Sequence, residues 1–518
     1  MMVNFITHPR IIRNTIEERE YQLRMAEGCS IESTLLILPT GLGKTIVALY
    51  VAADILEKGK KVMVLAPTKP LVDQHYSTFS SLLVDTKVGI MNGNMSPEKR
   101  KDVLILNDIT VATPQAVAND LNKGVYDLND FGLVIYDEAH RGTGNYAYVI
   151  VAREYINCKG GLSMGMTASP GSERERIDEI CLNLMLRRID MRSDEDPDVS
   201  PYTHNVTVNK IELDMPKDLT NIIDLLDKMF QNYVTELINL RAMVPSEHVT
   251  TKQILVAGRT LHFRHKAGER SATLYRALSV QSMALKIGHA VGLAETQGMT
   301  ALRLYLEKLI DEKEHSKGAN EIVSRDEFKE ICKILSSTKV EHPKISRVMS
   351  LVSKEINCRP ESKVIVFSHY RNTCDLLAEK LAGIEGASVG KLIGQSAGGL
   401  KQKEQTELLR SFRDGKYNVI VATSVGEEGL DVTSTDLVIF YENVPSEIRT
   451  IQRRGRTGRK NDGVIYVLTA KGTRDEAFGA VSRKKEDLMI KRLMKLRESI
   501  RKDPIPKMSQ KGIADFNG

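Results

Sequence analysis

The chain has 518 residues, 42% of them hydrophobic and 27% charged, which excludes wholesale disorder and is too long for a single core. Its longest apolar runs are strand-length and its first residues lack the apolar core of a secretory signal, so neither a membrane span nor export is expected. Six scattered cysteines predict reduced thiols in the cytoplasm, with no zinc site and no disulfide framework.

The formal charge of +6 is unevenly placed. Residues 483–518 hold 11 Lys/Arg against 5 Asp/Glu, while residues 1–482 sum to zero. A basic tail reads either as a solvated helix face or as a surface for a polyanion.

In chain order, short β-rich runs alternate with amphipathic helical patterns in two stretches, the signature of parallel sheets wrapped by helices. The first stretch offers strands at Thr34–Leu38, Lys61–Ala66, Ile109–Thr113, Phe131–Tyr136 and Gly161–Met166. Asp194–Pro201 reads as a linker. Helix formers without strand alternation then dominate from about 215 to 345. The second α/β stretch offers Lys363–Phe367, Val389–Ile393, Tyr417–Ala422, Asp436–Tyr441 and Gly463–Thr469. The expected division is an α/β lobe over 1–200, a helical insertion over 205–345, a second α/β lobe over 346–482, and a basic helix and tail over 483–518.

Three segments carry chemistry. Leu38-Pro39-Thr40-Gly41-Leu42-Gly43-Lys44-Thr45 stands between a strand and a helix. A phosphate-binding loop needs inward N–H groups, a lysine for the β- and γ-phosphates and a hydroxyl for Mg²⁺, and glycines permit its tight turn. Leu38 occupies the place of the first glycine in the strict pattern, and the shorter P-T-G-x-G-K-T form remains. Asp137-Glu138-Ala139-His140 closes the strand Phe131–Tyr136. One carboxylate there is expected to hold hydrated Mg²⁺, and its neighbour to orient or deprotonate a water. Gln452-Arg453-Arg454-Gly455-Arg456-Thr457-Gly458-Arg459 is either a solvated basic helix end or a source of arginine fingers, with Arg456 and Arg459 reaching a γ-phosphate.

In their order these segments resemble the motifs of superfamily-2 helicases of the DEAH-box kind. Arg19-Glu20-Tyr21-Gln22 is similar to the element whose glutamine reads adenine, and Ala66–Leu71 and Thr113-Pro114-Gln115 to the motifs that hold a nucleic-acid backbone. Thr167-Ala168-Ser169-Pro170 resembles the motif that couples hydrolysis to strand contact. Val364–Arg371, Gly394-Gln395-Ser396 and Ala422–Asp431 continue the series. The finer resemblance is to the archaeal Hef and eukaryotic FANCM branch, carried by the run from Gly399 to Asp431, the run Tyr441–Arg459 and the position of the helical insert.

This resemblance implies two RecA-like lobes, ATP and Mg²⁺ as cofactors, and action on forked or branched DNA in replication-fork repair and recombination. It assigns Arg19, Gln22, Pro39 to Thr45, Gly429 and Asp431 to the nucleotide, Thr45 and Asp137 to the metal, and Lys44, Asp137, Glu138, Gln452, Arg456 and Arg459 to catalysis. DNA contacts are expected at Thr68, Lys69, Thr113, Ser368, Arg371 and Thr423. In the insert, Arg264 and Lys266, within a cluster that runs on to Arg270 and Arg276, read either as a phosphate stripe or as a solvated helix face. The insert position is shared with Dicer and innate-immune RNA helicases, which keeps RNA open as the substrate. A scaffold that binds branched DNA is the reading of another class. Hef resembles a fusion to an XPF-type nuclease with an E-R-K motif, which does not occur in this sequence, so no nuclease of its own is expected. In the tail, Gln510, Ile513 and Phe516 have the spacing of a sliding-clamp (PCNA) box, although Asn517 stands where a second aromatic is usual. Such a protein is expected to be cytoplasmic and nucleoid-associated.

Overall fold

The computed structural model describes residues 4–442 and 463–481, apart from 159, 172, 194, 203–205, 247–248, 395–399 and 424–434, together with positions 484, 488, 491, 492, 494 and 495 of the tail, which are helical. The first lobe takes its shape from strands that are apolar on both faces. Its elements run α1 (Glu20–Ile31), β1 (Thr34–Ile37), α2 (Lys44–Glu57), β2 (Lys61–Leu65), α3 (Lys69–Leu82), β3 (Val88–Met91), α4 (Pro97–Leu106), β4 (Ile109–Ala112), α5 (Pro114–Asn122), β5 (Phe131–Tyr136), α6 (Ala147–Tyr155), β6 (Leu162–Thr167), α7 (Arg174–Asn183) and β7 (Arg188–Met191). All seven strands pair in parallel, in the order β3-β4-β2-β5-β6-β1-β7. Every residue of β1, β4 and β5 is buried, as helices on both faces of a parallel sheet require.

Two of these strands are absent from the sequence expectations, and both lie at sheet edges. β3 buries only alternate residues, and β7 carries Arg188 and Asp190 in a four-residue strand. Its polar side chains are held by ion pairs, Arg188 and Arg192 both clasping Asp190 at 2.8 and 2.9 Å. The expected linker is also bound to lobe one. Val199 is fully buried in that core, and Tyr202 lies 5.1 Å under the guanidinium of Arg19.

Next in the chain comes β8 (Val206–Leu213), followed by the helices α8 (Lys217–Asn239), α9 (Thr251–Lys266), α10 (Ala272–Thr296), α11 (Met299–Asp311), α12 (Lys317–Ser324) and α13 (Asp326–Ser337). The stripe Leu219, Ile222, Leu226, Met229, Tyr233 and Leu237 on α8, with Phe230 beside it, recurs every three or four residues and packs on α10. Gly288 lets the two helices approach, since a Cβ there would sit 3.0 Å from the Phe230 ring. The second lobe follows as α14 (Pro343–Cys358), β9 (Val364–Phe367), α15 (Arg371–Ala382), β10 (Val389–Leu392), α16 (Gln402–Arg413), β11 (Val419–Ala422), β12 (Leu437–Phe440) and β13 (Gly463–Ala470).

The second sheet has the order β10-β11-β9-β12-β13-β8, again parallel. This corrects one boundary. β8 falls inside the stretch expected to be helical insertion, yet it pairs with β13 over eight residues, from Val206↔Gly463 to Leu213↔Ala470. The alternation of the segment VTVNKIEL is broken at Asn209-Lys210, and its partner strand lies far away in sequence. The expected architecture otherwise stands: two parallel-sheet α/β lobes with a helical bundle between them.

The bundle is fastened to lobe two at the break between α10 and α11. There the Gln297 side-chain oxygen accepts from Thr373 Oγ1 at 2.7 Å, and its carbonyl accepts from the Tyr441 hydroxyl at 3.3 Å. Arg474, just past β13, donates to the Gly288 carbonyl at 3.1 Å and lies 3.3 Å from Glu295.

Candidate functional site

Parallel sheets collect their functional loops at the carboxyl ends of the strands. In lobe one β1, β6 and β5 are successive neighbours, so the loops after them meet. The loop after β1 turns on Gly41 and Gly43, at φ +89° and +81°, and delivers Lys44 to the start of α2. Lys44 Nζ donates to the Leu38 carbonyl at 2.9 Å and lies 3.5 Å from that of Pro39, so the loop's own carbonyls receive the ammonium. Tyr21 Oη and Gln22 Nε2 both donate to the Leu42 carbonyl, at 2.8 and 2.9 Å. Gly43 faces Gln22 so closely that a Cβ would lie 2.4 Å from Nε2. Arg19 is fixed against Glu17 and Tyr202, while Pro39, Thr40 and Thr45 stand half-buried around the loop. The structure thus gathers Arg19, Gln22 and 39–45.

Asp137 is buried at the end of β5. Its main-chain N–H donates to the Leu65 carbonyl of β2 at 2.9 Å, and the Tyr148 hydroxyl donates to its carbonyl at 2.5 Å. Its carboxylate has two partners: His75 Nε2 at 2.7 Å from Oδ2, and the Glu138 N–H at 2.9 Å from Oδ1. Burial by itself would raise the Asp137 pKa. The His75 ring, the Lys44 ammonium and the Glu138 N–H outweigh it and hold the carboxyl below its ordinary value. Glu138 occupies the left-handed region at φ +49°, an uncommon place for a non-glycine residue and one that surroundings must enforce.

From Glu138 a polar chain crosses to β6. His140 Nδ1 lies 3.3 Å from Glu138 Oε2 and 3.2 Å from Thr167 Oγ1. The Thr167 hydroxyl donates to the Ser169 carbonyl and accepts the Ser169 N–H, both at 3.1 Å. The D-E-A-H and T-A-S segments are therefore one network. The donor set suits Mg²⁺, which keeps several waters and takes one or two carboxylates with phosphate oxygens. A buried carboxylate held ionised beside the loop lysine, with the Thr45 hydroxyl at the start of α2, supplies that set.

The candidate DNA contacts sit at helix starts on the same strand ends. Thr68 and Thr113 are the N-cap residues of α3 and α5, neither side chain caps its helix, and a proline follows in the first turn. Pro70 and Pro114 have no N–H and that of Ala116 donates to the Thr113 carbonyl at 3.2 Å, so the N–H groups of Lys69, Leu71 and Gln115 are the ones without a side-chain cap, as at anion-binding helix termini. Lys69 is exposed beside them, whereas Thr68 Oγ1 is sealed from solvent and has no partner among the described residues.

In lobe two the hydroxyl of Ser368 is buried and donates to Glu442 at 3.2 Å, Thr423 is buried, and Arg371 donates to the Gly394 carbonyl at 2.6 Å. In the insert, two basic residues of the expected stripe have carboxylate partners. Arg264 forms a two-pronged pair with Glu269, both contacts 2.9 Å, and Arg276 is clasped by Glu236 and Glu321 at 2.6 Å each. Both carboxylates that hold Arg276 lie some forty residues away in sequence. Lys266 remains exposed on α9 near Phe263.

Sequence reasoning missed His75 and Tyr148. His75 falls on the apolar stripe Leu71, Val72, His75, Phe79 of α3, and a histidine at such a position was the one available signal. Gly429, Asp431, Gln452, Arg456, Arg459, Gln510, Ile513 and Phe516 lie outside the described residues. No helix among the described residues is long and apolar enough to cross a membrane.

Three family models match the chain: "DEAD/DEAH box helicase" over residues 19–177, "Putative ATP-dependent RNA helicase, helical bundle" over 218–342, and "Helicase conserved C-terminal domain" over 343–461. The helicase domain of Hef from Pyrococcus furiosus is 40% identical, with a TM-score of 0.70 over 90% of this chain and 98% of that one. "Putative ATP-dependent RNA helicase MJ1505" of Methanocaldococcus jannaschii is 37% identical over 95% of this chain and 62% of its own length. The Fanconi anemia group M protein homolog of Mus musculus is 29% identical over 91% of this chain, and "ATP-dependent DNA helicase mph1" of Sclerotinia sclerotiorum is 30% identical over 89%. The chain spans only 25% and 40% of the lengths of these last two.

Proposed function

Since the chain belongs to the Hef-like branch of the DEAD/DEAH-box superfamily-2 helicases, we propose that it is an ATP-dependent DNA helicase or translocase acting on forked or branched DNA in replication-fork repair and recombination. The observation that carries this reading is the 40% identity to the Hef helicase domain over nearly all of that domain. The joined network of Lys44, Asp137, Glu138, His140 and Thr167 gives the reading its chemistry.

In this mechanism Lys44 leaves the Leu38 carbonyl for the β- and γ-phosphates, and Thr45 and Asp137 are the residues that would hold Mg²⁺. The metal neutralises phosphate charge when bound. Glu138 orients and deprotonates the attacking water, and Gln22 reads the adenine edge. Arg456 and Arg459, with Gln452, supply the transition-state contacts from lobe two, where such arginines contribute roughly 10³–10⁵ in rate. Gly429 and Asp431 complete the nucleotide side. DNA lies against Thr68, Lys69, Thr113, Ser368, Arg371 and Thr423, with the main-chain N–H groups at the starts of α3 and α5 as the principal phosphate donors. In the insert Lys266 carries the contact, and Arg264 and Arg276 maintain the bundle. The protein works in the cytoplasm at the nucleoid, and Gln510, Ile513 and Phe516 tether it to the sliding clamp.

Nucleic-acid-stimulated ATPase is the test. Lys44→Ala and Glu138→Gln should each abolish it, and wild-type turnover in either variant refutes the mechanism. Stimulation and strand release compared on a fork, a Holliday junction, duplex RNA and single-stranded DNA decide the substrate, and preference for duplex RNA refutes the DNA reading. RNA is the second reading, favoured by the printed names of MJ1505 and of the helical-bundle model. A third, a branched-DNA scaffold, requires that Glu138→Gln still function in the cell.

A further inference from the structure

Helix α3 joins two places that the proposed mechanism treats separately. Its N-terminus, at Thr68 and Lys69, is the proposed seat of a strand's phosphates. About two turns further on, His75 is 2% exposed and lies 2.7 Å through Nε2 from Asp137 Oδ2. Nδ1 of the same ring is sealed from solvent and has no partner among the described residues. A buried N–H without an acceptor is costly, so the ring serves as an Nε2–H donor. Its whole polar function is directed at the Asp137 carboxylate.

The attachment of Asp137 is divided between two elements. Its main chain is fixed to β2 through the Leu65 carbonyl at 2.9 Å, and Tyr148 Oη ties the Asp137 carbonyl to that of Leu65 at 2.5 and 3.1 Å. Its carboxylate, by contrast, has one oxygen, Oδ2, held by α3 through His75, while Oδ1 accepts the neighbouring Glu138 N–H at 2.9 Å. A shift of α3 against β2 therefore leaves the Asp137 backbone in place and turns its carboxylate. Lys69 and His75 belong to one continuous helix, packed on the core through Leu71, Val72 and Phe79, so a displacement at its first turn is shared by His75.

We propose that His75 is the positioning residue through which a strand gripped at Thr68 and Lys69 sets the Asp137 carboxylate for Mg²⁺. The proposal rests on the roles given above to these residues, and it extends to α3 the coupling that the Glu138–His140–Thr167 chain provides from β6. Partners that orient a metal-binding carboxylate change metal affinity by about 10–100-fold when removed. Coupling between two sites is typically about 5–150-fold.

The test uses the full chain as wild type, His75→Ala and His75→Gln, whose amide N–H can replace Nε2–H. Binding of a fluorescent ADP is titrated with Mg²⁺, with and without a saturating DNA fork, so the readout does not depend on turnover. In wild type, DNA should lower the Mg²⁺ needed for half-saturation about fivefold or more. His75→Ala should need about tenfold more Mg²⁺ without DNA, and DNA should change that value less than about twofold. His75→Gln should retain most of the response. DNA affinity without nucleotide should be equal in all three. If His75→Ala does not fold, His75→Met against His75→Gln makes the same comparison. An unchanged response in the donor-less variant, equal losses in it and His75→Gln, or no response in wild type overturns the proposal. A DNA response in Mg²⁺ binding without ATP hydrolysis on any nucleic acid would instead overturn the function and leave the coupling standing.

Discussion

Lys344 and Asp475 form the most deeply buried charge pair described in the molecule, with both side chains at 0% exposure and 2.7 Å between Nζ and Oδ2. The ammonium also faces the Tyr441 ring at 5.2 Å, while Asp475 accepts the Ala470 N–H at 3.0 Å. Lys344→Met removes the cation and leaves the carboxylate in the core. At an effective dielectric near 20 the Coulomb attraction over this separation is about 6 kcal/mol, and desolvation offsets much of it. Breaking such a pair from one side costs about 3–5 kcal/mol. Nζ approaches Oδ2 off the hydrogen-bonding direction and counts among the atoms without an aligned bond, which favours the lower end. About 3 kcal/mol, at about 2–4 °C per kcal/mol, lowers the melting transition by about 6–12 °C. Differential scanning calorimetry of the intact chain reads this shift in the transition of lobe two with its insert. Lys344→Met combined with Asp475→Asn should recover most of the loss, because no uncompensated charge remains. A single variant that melts within about 2 °C of wild type, or a double variant no better than the single, refutes the reasoning.

Gly43→Ala forces a side chain into φ +81° and into the Gln22 amide, a strain of about 1–3 kcal/mol that should lower nucleotide affinity at least severalfold in a fluorescence titration. Burial, opposed in part by Arg474, pushes the Glu295 carboxyl up to about 7, so the folded state holds a proton that the unfolded chain releases above its ordinary pKa of 4.5. Stability from this group therefore falls as pH rises between those values and is level above them; Glu295→Gln should flatten that part of the melting-temperature profile, and parallel profiles would contradict it. Arg276→Ala should cost about 1 kcal/mol or less, since its ion pairs are partly exposed, and should leave DNA affinity unchanged. Lys266→Ala should weaken DNA binding and reduce the slope of log affinity against log salt by about 1, as measured by fluorescence anisotropy.

Both lobes were legible because a buried parallel strand must be apolar throughout, and Phe131–Tyr136 and Val364–Phe367 are buried at every residue. The edge strands were not. Arg188–Met191 has too few apolar residues to signal a strand, and Val206–Leu213 becomes one through a partner more than two hundred residues away. The nucleotide loop and the D-E-A-H segment were readable because their spacing is local. His75 was hidden for the opposite reason: its contact with Asp137 spans 62 positions of sequence, and alone on an apolar helix face it resembles an ordinary core residue. The partners of Arg276 were equally hidden, because Glu236 and Glu321 lie 40 and 45 positions away in sequence.

Charge had the same weakness as a guide to grip. The body of the motor, residues 1–482, sums to zero, and several of its basic side chains are committed to carboxylates within the fold. On the proposed mechanism, what it offers a phosphate at α3 and α5 is the main-chain N–H groups of Lys69, Leu71 and Gln115, left uncapped by Thr68 and Thr113, and these carry no formal charge to count. A hydrogen bond from such a donor to a charged acceptor is worth about 1.5–3 kcal/mol, so a few of them rival a cluster of surface lysines without the counterion release that makes lysine contacts salt-sensitive. In α3 the same helix also carries His75, whose Nε2 lies 2.7 Å from Asp137 on the nucleotide side. A translocating strand has to be held by groups that report its presence to the ATP site, and a helix terminus does both, whereas a solvated lysine on a flexible stem holds without reporting.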